Sequence, residues 1–128
     1  MGLFGRSKKE KEAEAEYMRK IDVPSCIKED FELKIDDLFT IVGLGTVAAG
    51  TVSKGMCRVG EQVYINKVNG ETLESTITGI DIHTKDRKPN NAAYRTEHVG
   101  LALRGISKEQ LEIGDKLIVK NGNMYAMG

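Results

Sequence analysis

The chain has little of several residue types, and each scarcity argues against a class of protein. Its 128 residues contain no tryptophan, and aromatic residues make up only 5%, so the composition does not indicate a stacking platform for single-stranded nucleic acid. Basic and acidic residues number 19 each. Any binding to nucleic acid or to a membrane must therefore come from a local patch and not from a bulk field. The length corresponds to one compact domain.

Cysteines and long apolar runs are also scarce. Cys26 and Cys57 are the two cysteines of the chain, which is too few for a disulfide framework and typical of a reduced, cytoplasmic setting. No apolar run approaches the roughly 20 residues of a membrane span. The N-terminus lacks the continuous apolar core of a signal peptide. We therefore expect a cytoplasmic protein without a membrane span.

The first 25 residues differ in composition from the rest. Residues 7–20 read SKKEKEAEAEYMRK, and their few apolar side chains do not form a stripe wide enough to pack. We predict a charged, disordered or fraying helical tail over residues 1–25 that ends before Pro24. It is either a solubilising extension or a tether for a partner. A β-barrel domain over residues 26–122 and a flexible C-terminus over residues 123–128 complete the expected organisation.

From Phe31 onward the apolar residues recur with a period of two. Phe31, Leu33 and Ile35 alternate with polar residues, which is typical of a strand with one wet face. Asn69-Gly70 indicates a hairpin, and a change of phase at Gly79 indicates a β-bulge or a sharp bend. Short, regularly spaced strands with little helix predict an all-β fold, namely a closed antiparallel barrel.

The segment 41–48, IVGLGTVA, has two interpretations. It matches a G-x-G-x-x-A dinucleotide fingerprint, but such a site needs a helix after the glycines to receive the pyrophosphate. The next residues, AGTVSKG, favour a strand that ends in a turn. A phosphate loop is also disfavoured, because Thr51 and Val52 stand where Lys and Ser/Thr belong. We interpret the glycines as a hairpin turn and expect no nucleotide.

Residues suited to catalysis or metal binding are dispersed. Cys26, Cys57, His83 and His98 show no close ligand spacing. The serines lack a nucleophile-elbow context. We therefore predict no enzyme activity, no cofactor and no metal.

One loop is a candidate nucleic-acid contact. It gathers four cations around one aromatic ring, namely Lys85, Arg87, Lys88, Tyr94 and Arg95. This composition suits phosphate contacts together with one stacking face. The alternative is an ordinary solvated loop.

Three motifs in order carry a resemblance to a known family. The chain reads FELKIDDLFTIVGLGTVAAGTVSKGMCRVGEQVYI, then STITGIDIHTK, then VGLALRGISKEQLEIGDKLIV. This arrangement resembles the second domain of elongation factor Tu and of other translational GTPases over roughly residues 30–119. The resemblance implies a closed barrel of six to eight antiparallel strands. The charged tail stands where that family has its GTPase domain, so we expect a stand-alone domain.

The resemblance also implies a binding pocket. In elongation factor Tu the barrel receives the 3′ terminal adenosine of aminoacyl-tRNA. The positions that match this pocket are Ile41, Gly43, Val47, Asp81 and Leu101.

Three positions depart from the family pattern. Leu44, Thr84 and Ile113 stand where the family has arginine, which weakens a phosphate-binding surface. We expect a non-catalytic binding module that contacts RNA, the ribosome or a translation component. The alternative is a protein-interaction or regulatory adaptor unrelated to translation.

Overall fold

The computed structural model describes residues 8–121. Residues 1–7 of the predicted tail and the predicted flexible segment 123–128 lie outside the described residues. Two helices precede the strands, α1 (Lys8–Ile21) and α2 (Val23–Lys28), and a single 3₁₀ turn (Lys108–Gln110) lies before the last strand. The strands are β1 (Phe31–Ile41), β2 (Gly45–Lys54), β3 (Met56–Arg58), β4 (Gln62–Asn66), β5 (Thr72–Ile82), β6 (Ala92–Tyr94), β7 (His98–Leu103) and β8 (Lys116–Val119).

Six of these strands close into an antiparallel barrel. The order around it is β1-β2-β7-β5-β4-β8, and β8 closes the circle by pairing with β1. The short strands β3 and β6 pair separately as a two-stranded sheet. The prediction of a closed antiparallel barrel is confirmed, with six strands in the barrel itself. Closure leaves the long strands without free edges.

The barrel core follows from the alternation of side chains in the strands, with one unpredicted shift of phase in β1. Phe31, Leu33 and Ile35 are fully buried. A register irregularity between Ile35 and Asp37 then changes which side chains face inward. Leu38 packs against the core, whereas Phe39 and Ile41 lie on the outer face of the barrel beside a groove. A second irregularity, between Ile77 and Gly79, confirms the predicted bulge.

The glycine segment is a hairpin turn, as predicted. Gly43 and Gly45 have φ values of 90° and 89°, a conformation that glycine adopts without strain. The chain continues directly into β2 and pairs back on β1 from Ile41↔Gly45 onward. The residues after the turn are therefore a strand, and the helix that a dinucleotide fingerprint needs does not follow this turn.

Within the segment predicted to be a disordered or fraying helical tail, α1 is a helix whose C-terminal part packs against the barrel domain. Tyr17, Met18 and Ile21 of α1 pack against the β3–β6 sheet and form a second apolar cluster with Met56 and Tyr94. The charged stretch ends just before Ile21, so the apolar stripe is completed only at the last turn of α1. The helix α1 ends at Ile21, before Pro24. Pro24 lies in the first turn of α2, where the absence of a backbone N–H has no energetic cost.

Within residues 8–121, neither helix has the length and the apolar character that crossing a membrane requires.

Candidate functional site

The predicted basic loop uses three of its five residues in contacts within the protein, and Arg87 and Tyr94 are two of them. The Arg87 side chain is only 1% exposed, and its Nε and Nη2 atoms donate to the carboxylate of Glu97 at 2.7 and 2.9 Å. Its guanidinium also lies 4.7 Å from the centre of the Tyr94 ring, which is itself buried. The predicted role of Arg87 and Tyr94 in RNA contact therefore has to be corrected, because neither group is accessible as placed.

Arg95 is also committed to the fold. Its Nη1 donates to Glu29 at 3.0 Å and its Nη2 to the carbonyl of Ile21 at 2.8 Å, which ties the helices to the barrel. Lys85 and Lys88 remain exposed, and the backbone N–H of Lys88 donates to Glu14 on α1. The loop thus presents two lysines where the sequence predicted four cations and a ring.

Tyr17 completes this buried network from the N-terminal helix. Its hydroxyl donates to Glu97 at 2.9 Å, and Glu97 also accepts the N–H of Tyr94 at 2.8 Å. Burial, followed by the contact with Glu97, raises the pKa of Tyr17 to about 12. Glu97, which follows the basic residues of the loop closely in the sequence, was the one local indication that Arg87 has an internal partner. The 80-residue separation between Tyr17 and Glu97 explains why the packing of the helix on the barrel domain was not predicted.

An apolar groove of about 340 Å³ lies on the outer face of β1, β2, β5 and β7. Its small residues are Gly79, Gly100 and Ala102, and the absence of larger side chains there opens the space. Its larger apolar and polar lining residues are Phe39, Ile41, Leu44, Val47, Val59, Thr78, Ile80, Asp81 and Asn91. The register irregularity near Asp36 turns Phe39 and Ile41 toward this groove.

The structure brings together three of the five predicted pocket residues. Ile41, Val47 and Asp81 line the groove, whereas Gly43 lines the adjoining depression that contains Arg104. Leu101 is fully buried in the barrel core, so its predicted place in the pocket is wrong. Because side chains alternate along a strand, its neighbours Gly100 and Ala102 face the groove instead.

The hairpin beside the groove exposes apolar side chains to solvent. Val42 is fully exposed, Leu44 is 53% exposed and Ile41 is 38% exposed. Scattered apolar surface residues are ordinary, but a cluster next to a groove is typical of an interaction site. The groove and the hairpin tip together form the candidate binding surface.

The groove ends at a group of ionisable side chains that are far apart in the sequence. His83 and His98 lie side by side, and Asp81 belongs both to the groove and to this group. Among residues 8–121, no three His, Cys, Asp or Glu side chains are arranged to hold a metal ion together. Cys26 and Cys57 are free and buried in separate clusters, and burial raises the pKa of each thiol.

No protein-family model matches the chain. The assignment of the barrel to the translation-factor type therefore stays a prediction that rests on the three sequence motifs.

Proposed function

We propose that this chain is a non-catalytic binding module of the translation-factor second-domain type. Its ligand site is the outer groove, and its ligand is the terminal nucleoside of an RNA of the cytoplasmic translation apparatus. The observation that carries this proposal is the convergence of Ile41, Val47 and Asp81 on one groove. These are three of the positions at which the resemblance implies a pocket for a terminal adenosine.

The shape of the groove suits a planar group. Phe39, Ile41 and Val59 supply apolar walls, and bases that leave a stack are commonly bound against apolar or aromatic surfaces. The small residues keep the groove open, since a Cβ atom on Gly100 would lie only 3.1 Å from Cγ1 of Val47. Asp81 supplies a carboxylate that accepts hydrogen bonds from ribose hydroxyls or an exocyclic amine.

The charge around the groove implies modest affinity. Arg104 lies in the adjoining depression, and Lys85 and Lys88 are exposed on the basic loop. Phosphate contacts dominate the affinity of proteins for nucleic acids and set the dependence on salt. Because residues 8–121 place few exposed cations near the groove, we expect weak binding whose salt dependence is shallow.

An NMR titration of the full chain tests this proposal. A tRNA with its complete 3′ end is compared with the same tRNA lacking the terminal adenosine. We expect shifts at the amides of Asp81, Gly100 and Ala102 only with the complete tRNA. Ala102→Phe fills the groove and should abolish these shifts, whereas the matched control Ala13→Phe on the exposed face of α1 should retain them.

Two outcomes of the titration would contradict the proposal. Equal shifts with the shortened tRNA would show that the terminal nucleoside is not recognised. Shifts confined to Lys85 and Lys88 would show a non-specific contact with phosphates. Circular dichroism of the Ala102→Phe variant establishes that the barrel is still folded.

A protein-interaction module is the second candidate, because of the exposed apolar hairpin tip. Val42 and Leu44 project beside the groove, which suits a partner's apolar segment better than a phosphate backbone. In a crosslinking pull-down from nuclease-treated native extract, the wild-type chain should capture one partner protein reproducibly. The Val42→Ser/Leu44→Ser variant should fail to capture that protein. Recovery of that protein by both chains would exclude the hairpin tip as its docking site.

A further inference from the structure

The two histidines of the chain meet on the outer face of the barrel. The sequence contains only two histidines, His83 just after β5 and His98 at the start of β7. The backbone N–H of His83 donates to the backbone carbonyl of His98 at 3.0 Å, so the two residues lie opposite each other. Their ring centroids are 4.8 Å apart, and the two Nδ1 atoms are separated by 2.6 Å.

A carboxylate faces the other nitrogen of each ring. His98 Nε2 lies 3.2 Å from Asp36, which occupies the register irregularity of β1. His83 Nε2 lies 3.4 Å from Asp81. Carboxylates accept from the Nε2–H tautomer and so direct the Nδ1 lone pair away from themselves. The two Nδ1 atoms nevertheless face each other at 2.6 Å, the length of an N–H···N hydrogen bond in which one ring donates and the other accepts.

This arrangement is the one that protein metal sites use around their histidine ligands. Histidines that bind a metal usually donate their second N–H to a carboxylate, which fixes the ring and makes the ligand more basic. A metal ion that displaces the proton shared at this 2.6 Å contact would be bound by both Nδ1 atoms. Imidazole nitrogen is a preferred ligand of zinc, copper and nickel.

We propose that His83 and His98 form a binding site for a divalent transition-metal ion of the zinc class. The Nδ1 atoms are the two protein ligands, Asp36 and Asp81 position the rings, and water completes the coordination. Metal–nitrogen bonds of about 2.0–2.1 Å place two such nitrogens roughly 2.9–3.4 Å apart, so the rings have to separate by less than about 1 Å. Side-chain exposures of 36% for His83 and 40% for His98 leave room for this movement and for access of the ion.

This site is separate from the groove function proposed above, although Asp81 borders both. The metal alone is sufficient to test it, since no RNA or partner is involved. If the groove binds no RNA, the metal proposal is unaffected, and a failure of metal binding leaves the groove proposal in place.

Isothermal titration of the full, metal-free chain with zinc chloride, followed in parallel by NMR of the imidazole groups, is the decisive experiment. We expect one equivalent of zinc to bind, with shifts in both rings. His83→Asn and His98→Asn should each weaken binding by at least about tenfold, because half of the protein ligands are lost. Asp36→Asn should weaken binding by about 10- to 100-fold through the positioning effect, and the matched control Asp37→Asn should leave it unchanged.

Three results would overturn the proposal. Zinc uptake that persists in the His83→Asn/His98→Asn double variant would place the ion elsewhere. Equal weakening in Asp36→Asn and Asp37→Asn would indicate a general loss of surface charge. Absence of uptake at millimolar zinc would show that the rings share a proton only. Circular dichroism and the melting temperature of each variant confirm that the fold is retained.

Discussion

Glu97 is the residue on which the buried polar network depends. It accepts hydrogen bonds from the Arg87 guanidinium, the Tyr17 hydroxyl and the Tyr94 N–H, and both Arg87 and Glu97 are almost completely buried. A buried ion pair contributes little net stability, but removing one partner leaves an uncompensated charge and is costly. The identity of Arg87 is therefore set by Glu97 and not by an external ligand.

Replacing Arg87 with methionine should lower the free energy of unfolding by about 3–5 kcal/mol, because Glu97 is left buried without its partner. The matched substitution Lys85→Met removes an exposed cation from the same loop and should change it by less than about 0.5 kcal/mol. Urea denaturation followed by circular dichroism measures both. Equal, small effects would mean that Arg87 is a solvated loop residue after all. The double variant Arg87→Met/Glu97→Gln should recover part of the lost free energy of unfolding, because the unpaired buried charge is removed.

The N-terminal helix is held by its last two turns. Its sequence is dominated by charged residues, and isolated helices of this length are marginal in water. Tyr17, Met18 and Ile21 contact the apolar cluster on the β3–β6 sheet, and the Tyr17 hydroxyl reaches Glu97. The helix is therefore stabilised by the tertiary contacts of the face that carries Tyr17, Met18 and Ile21.

Raising the pH should release this helix. The pKa of Tyr17 is raised to about 12 by burial and by Glu97, so its contribution to stability is complete below the ordinary tyrosine pKa of about 10 and is lost as the pH rises through about 12. The chain has four tyrosines. Absorbance titration should show a tyrosinate step near pH 12 that disappears in Tyr17→Phe and persists in Tyr64→Phe. Persistence of the step in Tyr17→Phe would assign it to another tyrosine.

At the scale of the whole molecule, closure of the barrel depends on the segment that leads into β8. Phe31–Lys34 of β1 pair with Lys116–Val119, and Asp115 immediately precedes that strand. Its buried carboxylate accepts from Lys67 Nζ and from the N–H groups of Val68 and Glu112 at 2.8–2.9 Å. One side chain thus joins the end of β4 to the segment that closes the barrel.

Acid should therefore weaken the whole fold through Asp115. Burial alone would raise the pKa of this carboxyl, but the hydrogen bonds from Val68, Lys67 and Glu112 outweigh burial and lower it. A lowered pKa means that its contribution is present above the unfolded-state value of about 3.9 and is lost as the pH falls through the folded value.

The comparison of Asp115→Asn with the wild-type chain checks this expectation. At neutral pH the variant should be less stable by about 2–3 kcal/mol, since hydrogen bonds to a charged group are lost or weakened. The difference should shrink below about pH 4 in urea denaturation. The exposed control Asp37→Asn should differ little from the wild type at any pH. A difference in stability between Asp115→Asn and the wild type that does not change as the pH falls would contradict the role assigned to the carboxylate.

Local patterns were sufficient for much of the barrel. Alternation at Phe31, Leu33 and Ile35 predicted a strand, and the turn at Gly43 and Gly45 and the bulge at Gly79 were predicted from the properties of glycine. Each of these features depends on residues close together in the chain. The wrong placement of Leu101 came from transferring a pocket position by resemblance, because an error of one residue in a strand moves a side chain to the opposite face.

By itself, the sequence determined the strands, their turns and the closed antiparallel barrel, because backbone preference and the period of two act over a few residues. The tertiary structure alone decided the burial of Arg87, the docking of the helix through Tyr17 and the meeting of His83 with His98. Each of these depends on a partner in another element, across up to 80 residues of chain. Composition and spacing do not determine whether a charged side chain finds such a partner or stays in water.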